Sequence, residues 1–203
     1  MKRYLSFFLV LFVMPALADD CLPYKLNPKV FIETPIWTKE VVQPLKEMDF
    51  LHGNVVATMV DNYDIVADIT NIEDGYCVAL KSVEAVVGYN NFLVQIDIRH
   101  SPNTCAYDAV LDHEDQHIRA YLSVIDDYKK ELQDSIYSAA DSITPIFVRN
   151  EEDIDAAVSE LNAELQAHPD LILIKQKIKA AEEIRNKKID ENNDNSTLKK
   201  CFE

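Results

Sequence analysis

Two different periodicities divide the chain. Through the first half, β-branched and aromatic residues come in short runs. Residues 30–34 form one such run, and residues 55–60 and 63–70 form two more, separated by Asp61-Asn62. These read as strands. Residues 77–87 and 92–99 flank Gly88-Tyr89-Asn90-Asn91, which reads as a hairpin turn. In the last run Phe92, Val94, Ile96 and Ile98 share one face, and Gln95, Asp97 and Arg99 the other. Sheets with one wet face alternate in this way. Residues 37–48, polar with scattered apolar positions, read as a short helix.

The second half changes period. Between residues 107 and 142 there is neither Gly nor Pro, and Val110, Ala120, Tyr121, Val124, Tyr128 and Leu132 recur at helical spacing. Thr144-Pro145 ends that run. A second helix is predicted over residues 151–167, opening on acidic residues, and a third over 171–188, beyond Pro169. Strands first and helices after predict an α+β fold: an antiparallel sheet over about residues 27–105, then a helical part over about 106–190. Residues 19–203 then make a single domain of a size that buries a core.

The N-terminus adds an address. Lys2 and Arg3 precede an apolar stretch at residues 5–13, and Ala16-Leu17-Ala18 forms a small-x-small cleavage site. Residues 1–18 therefore read as a secretory signal peptide, and the mature protein is expected to be periplasmic or secreted. The stretch is too short for a membrane anchor, and no membrane insertion is expected after cleavage. Two acids, Asp19 and Asp20, stand before Cys21 where a lipoprotein would have small residues. Losing Lys2 and Arg3 takes the net charge from −15 to −17. Such acidity argues against nucleic acid as a partner. Only three glycines are present, and none sits in a phosphate-binding loop.

Export also decides how the cysteines read. Cys21, Cys77, Cys105 and Cys201 are an even set in an exported chain, which predicts two disulfides. Three pairings are possible. A hairpin pivoting near Asn91 would place Cys77 opposite Cys105, which favours Cys77–Cys105 and leaves Cys21–Cys201. No Cys-x-x-Cys spacing points to a zinc site made of cysteines.

One motif carries chemistry. His113-Glu114-Asp115-Gln116-His117 lies inside the longest predicted helix. Positions four apart share a helix face, so both imidazoles can reach one ion. A carboxylate beside the first histidine can take a proton from water bound there. His113, Glu114 and His117 in a helix that follows a sheet resemble the zincin metallopeptidases. The resemblance implies zinc on His113 and His117, Glu114 as general base, and a peptide or protein substrate in the cell envelope. A further likeness is to uncharacterised exported bacterial proteins, through Ile96-Asp97-Ile98, Cys105-Ala106-Tyr107 and the motif. Asp112 and Asp115 depart from the uncharged surroundings usual in zincins.

A catalytic zinc usually has three protein ligands. Ala120 and Ser123 exclude the metzincin pattern. Asp126, Asp127 and Glu131 lie too far along one helix, about 14 Å or more from His117 at 1.5 Å per residue. Glu160, Glu182, Glu183 and His100 remain candidates. Residues 92–99 could align an extended substrate. The alternative is a zincin-like binding or envelope-assembly module without catalysis, or a pair of interior histidines beside a surface glutamate.

Overall fold

Two strands of unusual length make the frame. In the computed structural model, which describes residues 21–48, 52–192 and 200–201, the first strands are β1 (Lys29–Glu33) and β2 (Thr38–Val42). The long pair is β3 (Gly53–Ile72) and β4 (Gly75–Ile96). The predicted signal peptide lies outside the described residues. β3 and β4 form one antiparallel hairpin that turns at Glu73-Asp74. At about 3.3 Å per residue β4 extends some 70 Å along its own path.

β4 is the centre of the sheet. β3 follows one edge throughout. The other edge is taken in sections by β5 (Ile146–Val148), β1 and β2. β1 and β2 run parallel to β4, and β3 and β5 antiparallel to it. The fold is α+β, but the expected antiparallel sheet is a mixed one. β1 and β2 keep the same register on β4, Glu33 opposite Val86 and Thr38 opposite Asn91. They are one strand interrupted at Pro35, which lacks the N–H for a ladder bond. Residues 38–42 are therefore strand where a short helix was expected.

The expected hairpin at residues 88–91 is absent, because β4 runs straight through it. The register shifts between Thr58 and Met59 and between Val66 and Ala67, leaving Asn90 and Lys81 of β4 as extra residues. Each bulge switches which parity faces inward. Phe92, Val94 and Ile96 face the core, then Tyr89, Val87, Ala85 and Val83, then Leu80 and Val78. A parity change beside Gly88 imitates a turn, although it marks a bulge. The pairing of β3 with β4 likewise runs unbroken across Asp61-Asn62.

Among the described residues three α-helices cover one face. α1 (Cys105–Ser142) is about 57 Å long at 1.5 Å per residue and returns along β4. Thr104 caps it, its hydroxyl accepting from the Tyr107 N–H. α2 (Ile154–Ala167) packs on β3, β4 and β5. α3 (Pro169–Asn192) then runs back antiparallel to α1, with Ser138 on Asp170 at one end and His117 on Asn186 towards the other. Pro169 opens this helix, as suits a residue that has no N–H to place in the first turn. Leu132, Ile136, Leu161, Leu165, Leu171 and Ile174 fill the layer between helices and sheet. The outer sheet face carries Lys81 and Glu84 and leaves Phe31, Val56 and Val66 partly in water.

Both disulfides form, with pairings opposite to the expected ones: Cys21–Cys77 and Cys105–Cys201. Cys77 stands near the start of β4 and Cys105 nine residues past its end. With no turn at residue 91 the two are separated by almost the whole strand, whereas a disulfide needs Cα atoms within about 7 Å. The bonded pairs stand at 5.4 Å. Among the described residues no helix is long and apolar enough to cross a membrane.

Candidate metal centre

α1 places His113, His117 and Tyr121 along one stripe, a turn apart. α3 approaches that stripe near its own C-terminus. His113 Nε2 and His117 Nε2 are 3.2 Å apart. Asp190 Oδ1 is 3.4 Å from the first and 3.1 Å from the second. Two imidazole nitrogens and a carboxylate oxygen thus form a near-equilateral triangle. Three donors bound at 2.0–2.1 Å in a tetrahedral site stand about 3.3 Å from one another. The donor set and its spacing both fit zinc.

His117 is oriented for this. Asn186 Nδ2 donates to the Glu182 carbonyl, which turns Asn186 Oδ1 towards the ring. His117 Nδ1–H then donates to Oδ1 at 2.7 Å, so in the neutral ring the lone pair sits on Nε2, at the triangle. Burial and the neighbouring His117 hold the His113 imidazole below its ordinary pKa, against the pull of Asp190. Its neutral form, the one that binds metal, is thereby favoured. Asp190 is 63 % exposed. It leaves the triangle open to solvent on that side.

Glu114 points elsewhere on the helix, under the first residue of β3. It is only 3 % exposed. A Cβ on Gly53 would stand 2.5 Å from Glu114 Oε1 and 2.6 Å from Val110 Cγ1. Only a glycine lets the strand come so near. Burial, reinforced by the charges of Asp190 and Asp115, pushes the Glu114 carboxyl up to about 7. Asp115, one of the two acids unusual for a zincin motif, is paired by Lys39 of β2 at 2.9 and 3.1 Å.

The ligands weighed from sequence lie elsewhere. His100 is buried in the turn after β4, its Nε2 3.0 Å from His52 Nδ1. That turn is held by Asp97, a residue expected on the wet face but fully buried. Its carboxylate accepts from the Met48 and Arg99 N–H groups and from the Arg99 guanidinium, which keeps it well below the usual carboxylate range. β4 ends at Ile96, so Ile98 leaves the core face and is exposed. Glu182 is buried against Tyr89, whose hydroxyl donates to it. Burial raises the Glu182 carboxyl, while the Tyr89 hydrogen bond opposes the rise. Glu183 and Glu160 are exposed. Asp127 and Glu131 are paired across to Arg185 and Lys177 of α3. The sequence reading missed Asp190 and Asn186. Their i, i+4 spacing was the available signal, but the predicted helix stopped at residue 188.

A cleft of about 420 Å³ opens between β3 and α3. Ala57 and Met59 line one wall, Ile178, Lys179 and Glu182 the other, and Tyr121 reaches it from α1. Lys175 closes its far end with Asp61 at 2.8 Å. Among the described residues β3 pairs with β4 alone, so its outer edge faces this cleft side without a strand partner. Of residues 92–99, considered from sequence as a docking strand, 92–95 have strands on both edges and β4 ends at Ile96. Comparison of the chain with known protein families, with curated proteins and with solved structures gives no match.

Proposed function

We propose that the protein is an exported zinc-dependent hydrolase acting on peptides, with His113, His117 and Asp190 as ligands and Glu114 as general base. One observation carries this reading: the three donor atoms stand 3.1–3.4 Å apart, the separations a tetrahedral zinc requires. When bound, the ion supplies a Lewis acid and a water acidified for attack on a carbonyl. Glu114, the residue after the first ligand in the chain, would serve as the general base beside such an ion, holding a proton and releasing it to a departing amine. Asn186 fixes the His117 tautomer. The free edge of β3 pairs with an extended chain, and its first residue, Gly53, brings that chain to Glu114. Such substrates fit a periplasmic or secreted protein of the cell envelope. The two disulfides and the resemblance of the motif to zincins support the same assignment.

The purified, oxidised protein should bind about one zinc, and His113→Ala or His117→Ala should abolish binding. Asp190→Asn should weaken it. Glu114→Gln should keep the metal and lower hydrolysis of an unfolded polypeptide by at least about 100-fold. A protein that stays metal-free at micromolar zinc refutes the assignment.

The near-complete burial of Glu114 beneath Gly53 favours a second reading, a non-catalytic zincin-like binding or envelope-assembly module. Under it, Glu114→Gln would leave a cellular phenotype intact that deletion of the protein removes.

A further inference from the structure

α3 is held to the rest of the molecule unevenly. Leu171, Ile174, Ile178 and Glu182 are buried. From Glu183 to Glu191 no residue is buried, and Ile184 is 67 % exposed. Yet this thinly packed end supplies Asp190 and Asn186. Its described attachments are polar: Arg185 to Asp127 and Ser123, Asn186 to His117, and Asp190 to both histidines. Terminal helical turns without apolar packing open at little cost. The covalent attachment lies just beyond. Cys201, eleven residues after Asp190, is bonded to Cys105, the first residue of α1 and two turns before His113. The bond ties the chain end that bears the third donor to the helix that bears the other two.

We propose that the Cys105–Cys201 disulfide is a redox switch that completes the metal centre. Formed, it holds residues 183–192 of α3 against His113 and His117; reduced, it releases them and leaves two histidines without their carboxylate. This rests on the zinc site proposed above. Closure is thiol–disulfide exchange. The two thiols give two electrons and two protons to an oxidised dithiol partner, which leaves as its dithiol. The gain is one of effective concentration, since Asp190 no longer has to be recruited from a loose end. Metal capture would then follow oxidative folding and not precede it.

The test compares four oxidised proteins: wild type, Cys105→Ser/Cys201→Ser, Cys21→Ser/Cys77→Ser, and a chain with six Gly/Ser residues inserted between Asn195 and Ser196. The insertion keeps both bridges but slackens the tether, which covers the case of a serine variant that does not fold. Zinc affinity is read by competition with a chromogenic chelator. Hydrogen exchange is read on the metal-free proteins. The Cys105/Cys201 and insertion variants should bind zinc roughly 10–100-fold more weakly, the usual effect of losing support around a metal. Amides 183–192 should exchange at least about 10-fold faster in both while 171–178 stay protected. The Cys21/Cys77 variant should keep wild-type affinity. Unchanged affinity and exchange in the first two overturn the switch and leave the metal site standing. A wild-type protein that binds no zinc overturns the site and the switch with it.

Discussion

Gly53 shows how one missing side chain shapes the candidate site. It is at the start of β3, where nothing in the local sequence demands glycine. The demand comes from Glu114 and Val110 across the interface. Gly53→Ala should cost about 1–3 kcal/mol by overpacking. It should also displace the Glu114 carboxylate, and chemical denaturation beside a hydrolysis assay would separate the two effects. Asp97 is the other residue with outsized weight. Its folded pKa lies below the ordinary value, so its contribution is fully present above about pH 5 and lost progressively as pH falls below the ordinary carboxylate range towards the lower folded value. Asp97→Asn should cost about 3 kcal/mol at neutral pH, the scale of breaking a buried ion pair. It should also flatten the acid limb of a stability–pH profile relative to wild type; an unchanged limb would show that Asp97 is not what acid attacks. At this scale the sequence was partly legible. His113, Glu114 and His117 announced themselves by spacing. Asp190 and Asn186 did not, because a polar helix end among lysines and asparagines carries no apolar period.

At the scale of elements, the helices were legible and the strands only in outline. α1 has neither Gly nor Pro from residue 107 to residue 142 and an apolar stripe on either side of the histidines, so its limits were readable within two residues. β4 has two bulges, and each reverses the inward parity, so one strand of twenty-two residues reads as two. The disulfide pairing failed for the same reason, since it was inferred from a hairpin that the bulge at Asn90 replaces. The long strand and α3 are stitched together by Tyr89 and Glu182. Tyr89→Phe removes the donor and leaves a buried carboxyl without it. A loss of about 1–3 kcal/mol is expected. Because Glu182 also offers its carbonyl to Asn186, the same variant should weaken zinc binding slightly. Equilibrium unfolding and metal titration of this variant check both.

The whole molecule is a sheet one helical layer thick, organised lengthwise around β4. Its candidate metal ligands lie at the end where β4 stops and α1 begins, and the far end is closed by β5 and the loop before α2. This lengthwise plan follows from the register, which no local pattern displays: β1 and β2 lie on β4 across more than fifty residues of sequence. The bridges have a mechanical consequence. A pull applied at Cys21 and Cys201 passes through the first bond to Cys77, along the chain to Cys105, and out through the second bond. Only the stretch from residue 77 to residue 105 bears the load. Residues 22–76 and 106–200 hang beside it as unloaded loops. In single-molecule stretching the oxidised protein should reach no more than about 100 Å between the two anchor points, at 3.3–3.6 Å per residue. Much of that length is already extended in β4, so the force trace should show almost no release. Reduction should lengthen the trace about sixfold, as the load path changes from one strand to the whole polypeptide.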